Sequence, residues 1–122
     1  MLVTSRGKVL LARRDIEPFE GCWGLPGGYV ESDESPASAA RREAREEVGI
    51  EASIHAIAGV YFFDDDPRGN GILIVYECSA EGEPRAAAET SGVAYFGPGD
   101  VPADLAGAGH REAIRDWVSR AR

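Results

Sequence analysis

Six charged side chains crowd one short stretch of this chain, "RREAREEVGI", and four of them, Arg42, Glu43, Glu46 and Glu47, could act together. On a helix at about 100° per residue, the three glutamates fall within an arc of about 100°. Like charges at that spacing repel, so the patch calls for a counter-charge. Three carboxylates with no histidine or cysteine beside them suit a hard divalent cation. Mg²⁺ takes oxygen ligands, keeps several waters and is commonly shared with substrate phosphates. Arg42 stands at i, i+4 to Glu46 and is placed to orient that carboxylate by hydrogen bonds. The ordinary alternative is a solvated face on which Glu/Arg pairs merely support the helix.

The elements that would hold these groups are legible in the flanking residues. Ser35-Pro36 is a helix start, with serine as N-cap and proline in the first turn, and Gly49 is a stop. On the helix between them, Ala37, Ala40, Ala44 and Val48 share an arc of about 80° that would pack on a sheet. Arg41 and Arg45 point to solvent. "KVLLARR", "ASIHAIAGVYFF", "GILIVYECSA" and "GVAYFG" read as strands, "LVT" as the end of a very short one, and "GCWGLPGG" as a Gly/Pro-rich loop. "HREAIRDWVSRA" is an amphipathic helix with Ile114, Trp117, Val118 and Ala121 on its apolar face. Interleaved strands and helices predict an α/β class with a mixed sheet.

At 122 residues the chain is expected to form one domain over 1–122. A formal charge of −8 argues against a nucleic-acid backbone as partner. No run is long enough for a membrane span and no signal peptide is visible. Cys22 and Cys78 lack metal or redox spacing, so free buried thiols in a cytoplasmic protein are expected.

The segment resembles the Nudix box, G-x5-E-x7-R-E-U-x-E-E-x-G-U, where U is a bulky aliphatic residue. Gly28, Glu34, Arg42, Glu43, Glu46, Glu47 and Gly49 supply all seven fixed letters, and Ile50 the last aliphatic position. Ala44 departs by being smaller than usual at the first one. "VLLARR", "WGLPGG", "AYFGPGDVP" and "HREAIRDW" look like the ADP-ribose pyrophosphatase-like group, so the resemblance covers nearly the whole chain. Such domains usually carry a fuller first strand than this one.

The resemblance implies an α/β/α sandwich with a mixed β-sheet. It implies Mg²⁺-dependent hydrolysis, with Mn²⁺ as a substitute, of the pyrophosphate in a nucleoside diphosphate linked to another group. An ADP-ribose-like small molecule is the favoured substrate. The alternatives are an oxidised nucleoside triphosphate, or a sensor that binds a nucleotide derivative without cleaving it. The sensor is disfavoured because Glu34, Glu43, Glu46 and Glu47 are all present. A homodimer is left open. By resemblance, Glu43, Glu46 and Glu47 with the Gly27 carbonyl are the metal positions. Gly28 and Gly49 are structural, and Glu34 braces the loop or helix. The base that orients the attacking water is a helix glutamate or one from a later loop, where Glu89 is the candidate.

Other residues are assigned more narrowly. Arg14, at the end of a strand, is a candidate for a substrate phosphate or ribose. Trp23 and Tyr61 are expected as core or rim aromatics rather than base-stacking groups. "DDDPRGN" is expected to be a solvated turn, with Pro67 close to a position where some ADP-ribose hydrolases carry a proline. His55 and His110 are expected to be structural.

Overall fold

The computed structural model describes residues 1–121. In chain order its elements are β1 (Leu2–Ser5), β2 (Lys8–Arg14), β3 (Trp23–Gly24), α1 (Pro36–Val48), β4 (Glu51–Phe63), β5 (Gly71–Glu81), β6 (Thr90–Phe96) and α2 (His110–Ala121). β2 buries Val9, Leu10, Leu11 and Ala12 in succession, as a strand covered on both faces must. Its side chains alternate between two cores. Val9 and Leu11 pack with Leu2, Ala113, Ile114 and Trp117, whereas Leu10 and Ala12 pack with Val3, Ala44, Val48 and Ile50. One helix therefore closes each face, and the layers are the expected α/β/α sandwich.

The sheet is mixed. β1 pairs antiparallel with β2 and parallel with β5, and β5 forms a long antiparallel pair with β4. β6 runs antiparallel along β2 from Val9 to Arg14. β3 is only two residues long and pairs Gly24 with Ala12. It lies inside the segment expected to be loop, and no periodicity can show in two residues. β1 is four residues long, in keeping with the short first strand. No helix among the described residues is long and apolar enough to cross a membrane.

Both helices keep their expected bounds, and each corrects one detail of its expected face. In α1 the buried residues are Ala39, Ala44 and Val48, while Ala37 is only half-buried. A helical wheel puts Ala39 on the Glu43 side, away from the sheet. The Gly28–Ser35 segment passes along that side, with Gly28 against Glu43 and Glu34 bonded to Arg42. In α2 the buried residues are Ala113, Ile114 and Trp117, with Val118 packed against them, whereas Ala121 is exposed at the helix end. Cys22 and Cys78 are both free thiols, Cys22 half-buried and Cys78 buried. Trp23 meets Phe96 edge to face at 5.1 Å, and the Tyr61 hydroxyl donates to Asp116 at 2.7 Å. Both aromatics thus belong to the core and its rim.

Candidate active site

α1 begins and ends by local chemistry. The Ser35 side chain accepts the Ser38 amide at 3.2 Å, Pro36 opens the helix, and Gly49 leaves it in the left-handed region at φ 69°. Its last carbonyls are taken by the segment that follows β5. The Arg85 and Ala87 amides donate to the Val48 and Glu47 carbonyls, each at 2.9 Å. Helix-end carbonyls need such partners, and meeting them here carries Glu89 to the mouth of the helix. The Glu89 carbonyl in turn accepts the Asp15 amide at 2.9 Å, which draws in the end of β2 and Arg14.

Arg42 is the hub of the helix. Its Nε and Nη2 grip the two carboxylate oxygens of Glu34 at 3.0 and 2.6 Å, and Nη1 donates to Glu43 at 2.8 Å and Glu46 at 3.2 Å. Nη2 also donates to the Tyr29 carbonyl at 3.3 Å. The fork holds Glu34 down to about 2, helped by the Glu31 amide. Glu34 thus ties the Gly28–Ser35 segment to the helix through Arg42. The counter-charge for the glutamate patch is in the first instance this one arginine, which serves Glu46 as expected and Glu43 and Glu34 besides.

Glu47 faces differently. One of its oxygens accepts the Gly27 amide at 2.8 Å. Burial pushes its carboxyl up to about 7 against that bond, and the nearby Glu43 charge adds to the rise. Glu43 is raised as well, again by burial first. Gly28 lies against Glu43 so closely that a Cβ there would sit 2.5 Å from the carboxyl carbon. Only glycine leaves that carboxylate its place.

These groups line one groove of about 340 Å³: Gly27, Gly28, Glu43 and Glu47 on one side, Arg14, Arg68 and Glu89 on others. Arg14 is tethered by its Nε to the Pro18 carbonyl at 2.6 Å. Glu46 is not among the lining residues; it is more than half exposed and leans on Arg42. The carboxylate and carbonyl oxygens that the groove offers a cation are a donor set that fits Mg²⁺ or Mn²⁺. Among the described residues, no three of His, Cys, Asp and Glu converge as a finished metal cage. Arg42 holds Glu43 and Glu46 toward itself, so a cation would have to draw them away.

Three features of the site escaped the sequence reading. The first is the acidic turn. Asp65 accepts the Ala108 amide at 2.9 Å, and Asp66 is buried with Arg68 and Tyr29 around it. The rest of the turn is exposed as expected, but Asp66 is drawn in because the long β4–β5 hairpin folds its tip back over the groove. The second is Tyr29, which follows the two glycines and stands over the same groove.

The third is His110, structural as expected but lining the groove too. Its Nδ1 accepts the Leu25 amide at 3.0 Å, two residues before Gly27. Desolvation above all lowers its imidazole to about 4. The unfolded chain takes up a proton below its ordinary value near 6.5, whereas the folded chain does so only near 4. Stability from this residue is thus complete above pH 6.5 and lost as pH falls toward 4. Glu47, with its carboxyl raised to about 7, acts in the opposite sense over the same window, so the difference is the test: the urea midpoint of the native chain minus that of His110→Gln is expected to fall between pH 6.5 and 5. An unchanged slope in the variant would contradict the buried neutral ring.

The model of the NUDIX domain matches residues 1–117. The chain belongs to the Nudix family. Among related Nudix proteins, the ADP-ribose pyrophosphatase of Methanocaldococcus jannaschii is 35% identical over 119 residues, 96% of this chain and 69% of the relative. The MutT NUDIX hydrolase from Burkholderia pseudomallei superposes with a TM-score of 0.84 at 31% identity, covering 93% of this chain and 90% of that one. The NUDIX domain of Shewanella oneidensis NrtR, solved with ADP ribose, superposes at 0.74 with 25% identity, over 99% of this chain and 83% of its own. Both the sandwich and the hydrolase class follow from this membership.

Proposed function

We propose that the groove hydrolyses the pyrophosphate of a nucleoside diphosphate derivative with a divalent cation, Mg²⁺ or Mn²⁺, and that ADP-ribose is the substrate of first choice. One observation carries the reading. Two desolvated carboxylates, Glu43 and Glu47, share a groove with Gly27, Gly28, Arg14 and Glu89. The name of the archaeal relative and the ligand of the NrtR domain support the choice of ADP-ribose.

Glu43, Glu46, Glu47 and the Gly27 carbonyl would hold the cation, which when bound offsets charge on the pyrophosphate oxygens. The chain's own residues do the rest. Arg14 meets a phosphate or ribose oxygen. Arg42 and Glu34 hold the helix and the glycine segment in fixed register. A carboxylate, Glu47 or Glu89, accepts the proton of the attacking water. Glu47 is poised for this by its raised proton affinity, and Glu89 by its place across the groove. Water adds to one phosphorus, the bridging P–O bond breaks, and AMP and ribose 5-phosphate leave.

Incubating ADP-ribose with the protein in ¹⁸O-labelled water is expected to yield AMP and ribose 5-phosphate, with label in one of the two and none in inorganic phosphate. Labelled inorganic phosphate released from AMP in a parallel incubation, with ADP-ribose left intact in its own, would replace this reading by a monoesterase.

A further inference from the structure

Arg68 is held as few surface arginines are. Its Nε and Nη2 fork onto the two oxygens of Asp66 at 3.0 and 2.9 Å, and its own backbone amide donates to Asp66 at 2.8 Å. The Asp66 side chain is 0% exposed and also accepts the Tyr29 hydroxyl at 3.1 Å. The guanidinium carbon sits 4.7 Å from the centre of the Tyr29 ring. Three residues from two distant segments thus fix one flat cation on one flat ring. The arginine side chain nevertheless stays 45% exposed and Tyr29 56% exposed, and both line the groove that holds Glu43 and Glu47.

Such a stack is costly to build for packing alone. It immobilises a long side chain that would otherwise keep its rotamer freedom, and it buries a carboxylate completely. Its charge is already answered by Asp66, which makes it a poor site for a phosphate dianion. What it still offers is a planar surface. A guanidinium or tyrosine plane stacks on nucleobases irrespective of their hydrogen-bonding edges. Arg14, in the same groove and free of a carboxylate partner among the described residues, is the better phosphate contact.

We propose that the Tyr29–Arg68 stack, braced by Asp66, is the platform on which the substrate's nucleobase lies, with the pyrophosphate reaching from it to the α1 carboxylates. This rests on the reading of the groove as a nucleotide site and adds to it the residues that receive the base. Arg68 and Tyr29 touch the base, and Asp66 is a positioning residue.

The test is binding of etheno-AMP, a fluorescent AMP whose emission changes when its ring stacks, in Mg²⁺ buffer. Ribose 5-phosphate, which has no base, is titrated by calorimetry as control. Arg68→Lys keeps a cation for Asp66 but loses the plane, Tyr29→Leu loses the ring, and Tyr29→Phe keeps the ring without the hydroxyl. Thermal midpoints verify that each variant folds. Arg68→Lys and Tyr29→Leu are expected to weaken etheno-AMP binding about tenfold, and Tyr29→Phe less than threefold, with ribose 5-phosphate unaffected throughout. Three results would overturn the platform: Arg68→Lys binding etheno-AMP as the native chain does, equal weakening of the base-free ligand, or no emission change with the native chain. Base-dependent binding without hydrolysis of ADP-ribose would leave the platform standing and remove only the hydrolytic reading.

Discussion

Glu47→Gln is expected to lower kcat by roughly two to four powers of ten while leaving the melting temperature unchanged or higher. The two halves of this expectation have one cause. Glu47 sits in the groove with a carboxyl that burial has pushed up to about 7. Holding a charge there opposes folding, and a neutral glutamine relieves it while still accepting the Gly27 amide. The same change removes a ligand charge or a proton acceptor from the chemistry. Glu46→Gln is expected to lower kcat within the same range with little change in stability, since Glu46 is exposed.

The control is Arg45→Gln. Arg45 is half exposed, and its nearest partner is the exposed Glu51 at 3.6 Å. Such a pair contributes little, so activity and melting temperature should both stay near native values. Assays of the three variants on ADP-ribose decide the matter. Loss of activity in Arg45→Gln comparable to that in Glu47→Gln would mean that the faces of α1 are assigned wrongly.

Excess chelator is expected to abolish hydrolysis, and added Mg²⁺ or Mn²⁺ to restore it. Among the described residues Arg42 alone forms ion pairs with Glu34, Glu43 and Glu46. Among the described residues Glu47 has no arginine as a hydrogen-bond partner, and it shares the groove with Glu43. Phosphate oxygens entering that groove would add to the repulsion unless a cation came with them. A cation that binds the folded groove and not the unfolded chain also raises the melting temperature by mass action. A thermal scan with and without Mg²⁺ therefore checks binding apart from turnover. Full activity in excess chelator would remove the metal from the mechanism.

Much of the fold was written locally. Ser35, Pro36 and Gly49 bound α1 because capping and left-handed backbone are decided by the residues themselves. "KVLLARR" reads as a strand from its residue types, and the structure adds that Val9–Ala12 is buried on both faces, with one helix over each. The box supplied the identity of the charged groups, since which residue types can ligate a hard cation or accept a proton is a property of the side chains alone.

What the sequence could not decide is which partner each charge would find. Arg42 was assigned to Glu46 by helical spacing, yet its shortest bond goes to Glu34, outside the helix. Glu47 was one of three equivalent glutamates until the Gly27 amide and the surrounding protein set it apart. Asp66 read as a solvated turn residue because turn chemistry was the only local signal. Its burial exists only because a hairpin tip returns over the groove and brings Arg68 onto Tyr29. Desolvation and the meeting of groups distant in the chain depend on the packed arrangement. Residue type and spacing therefore determined the fold and the chemistry available, while the tertiary structure decided which carboxylates are buried and what flat surface faces them.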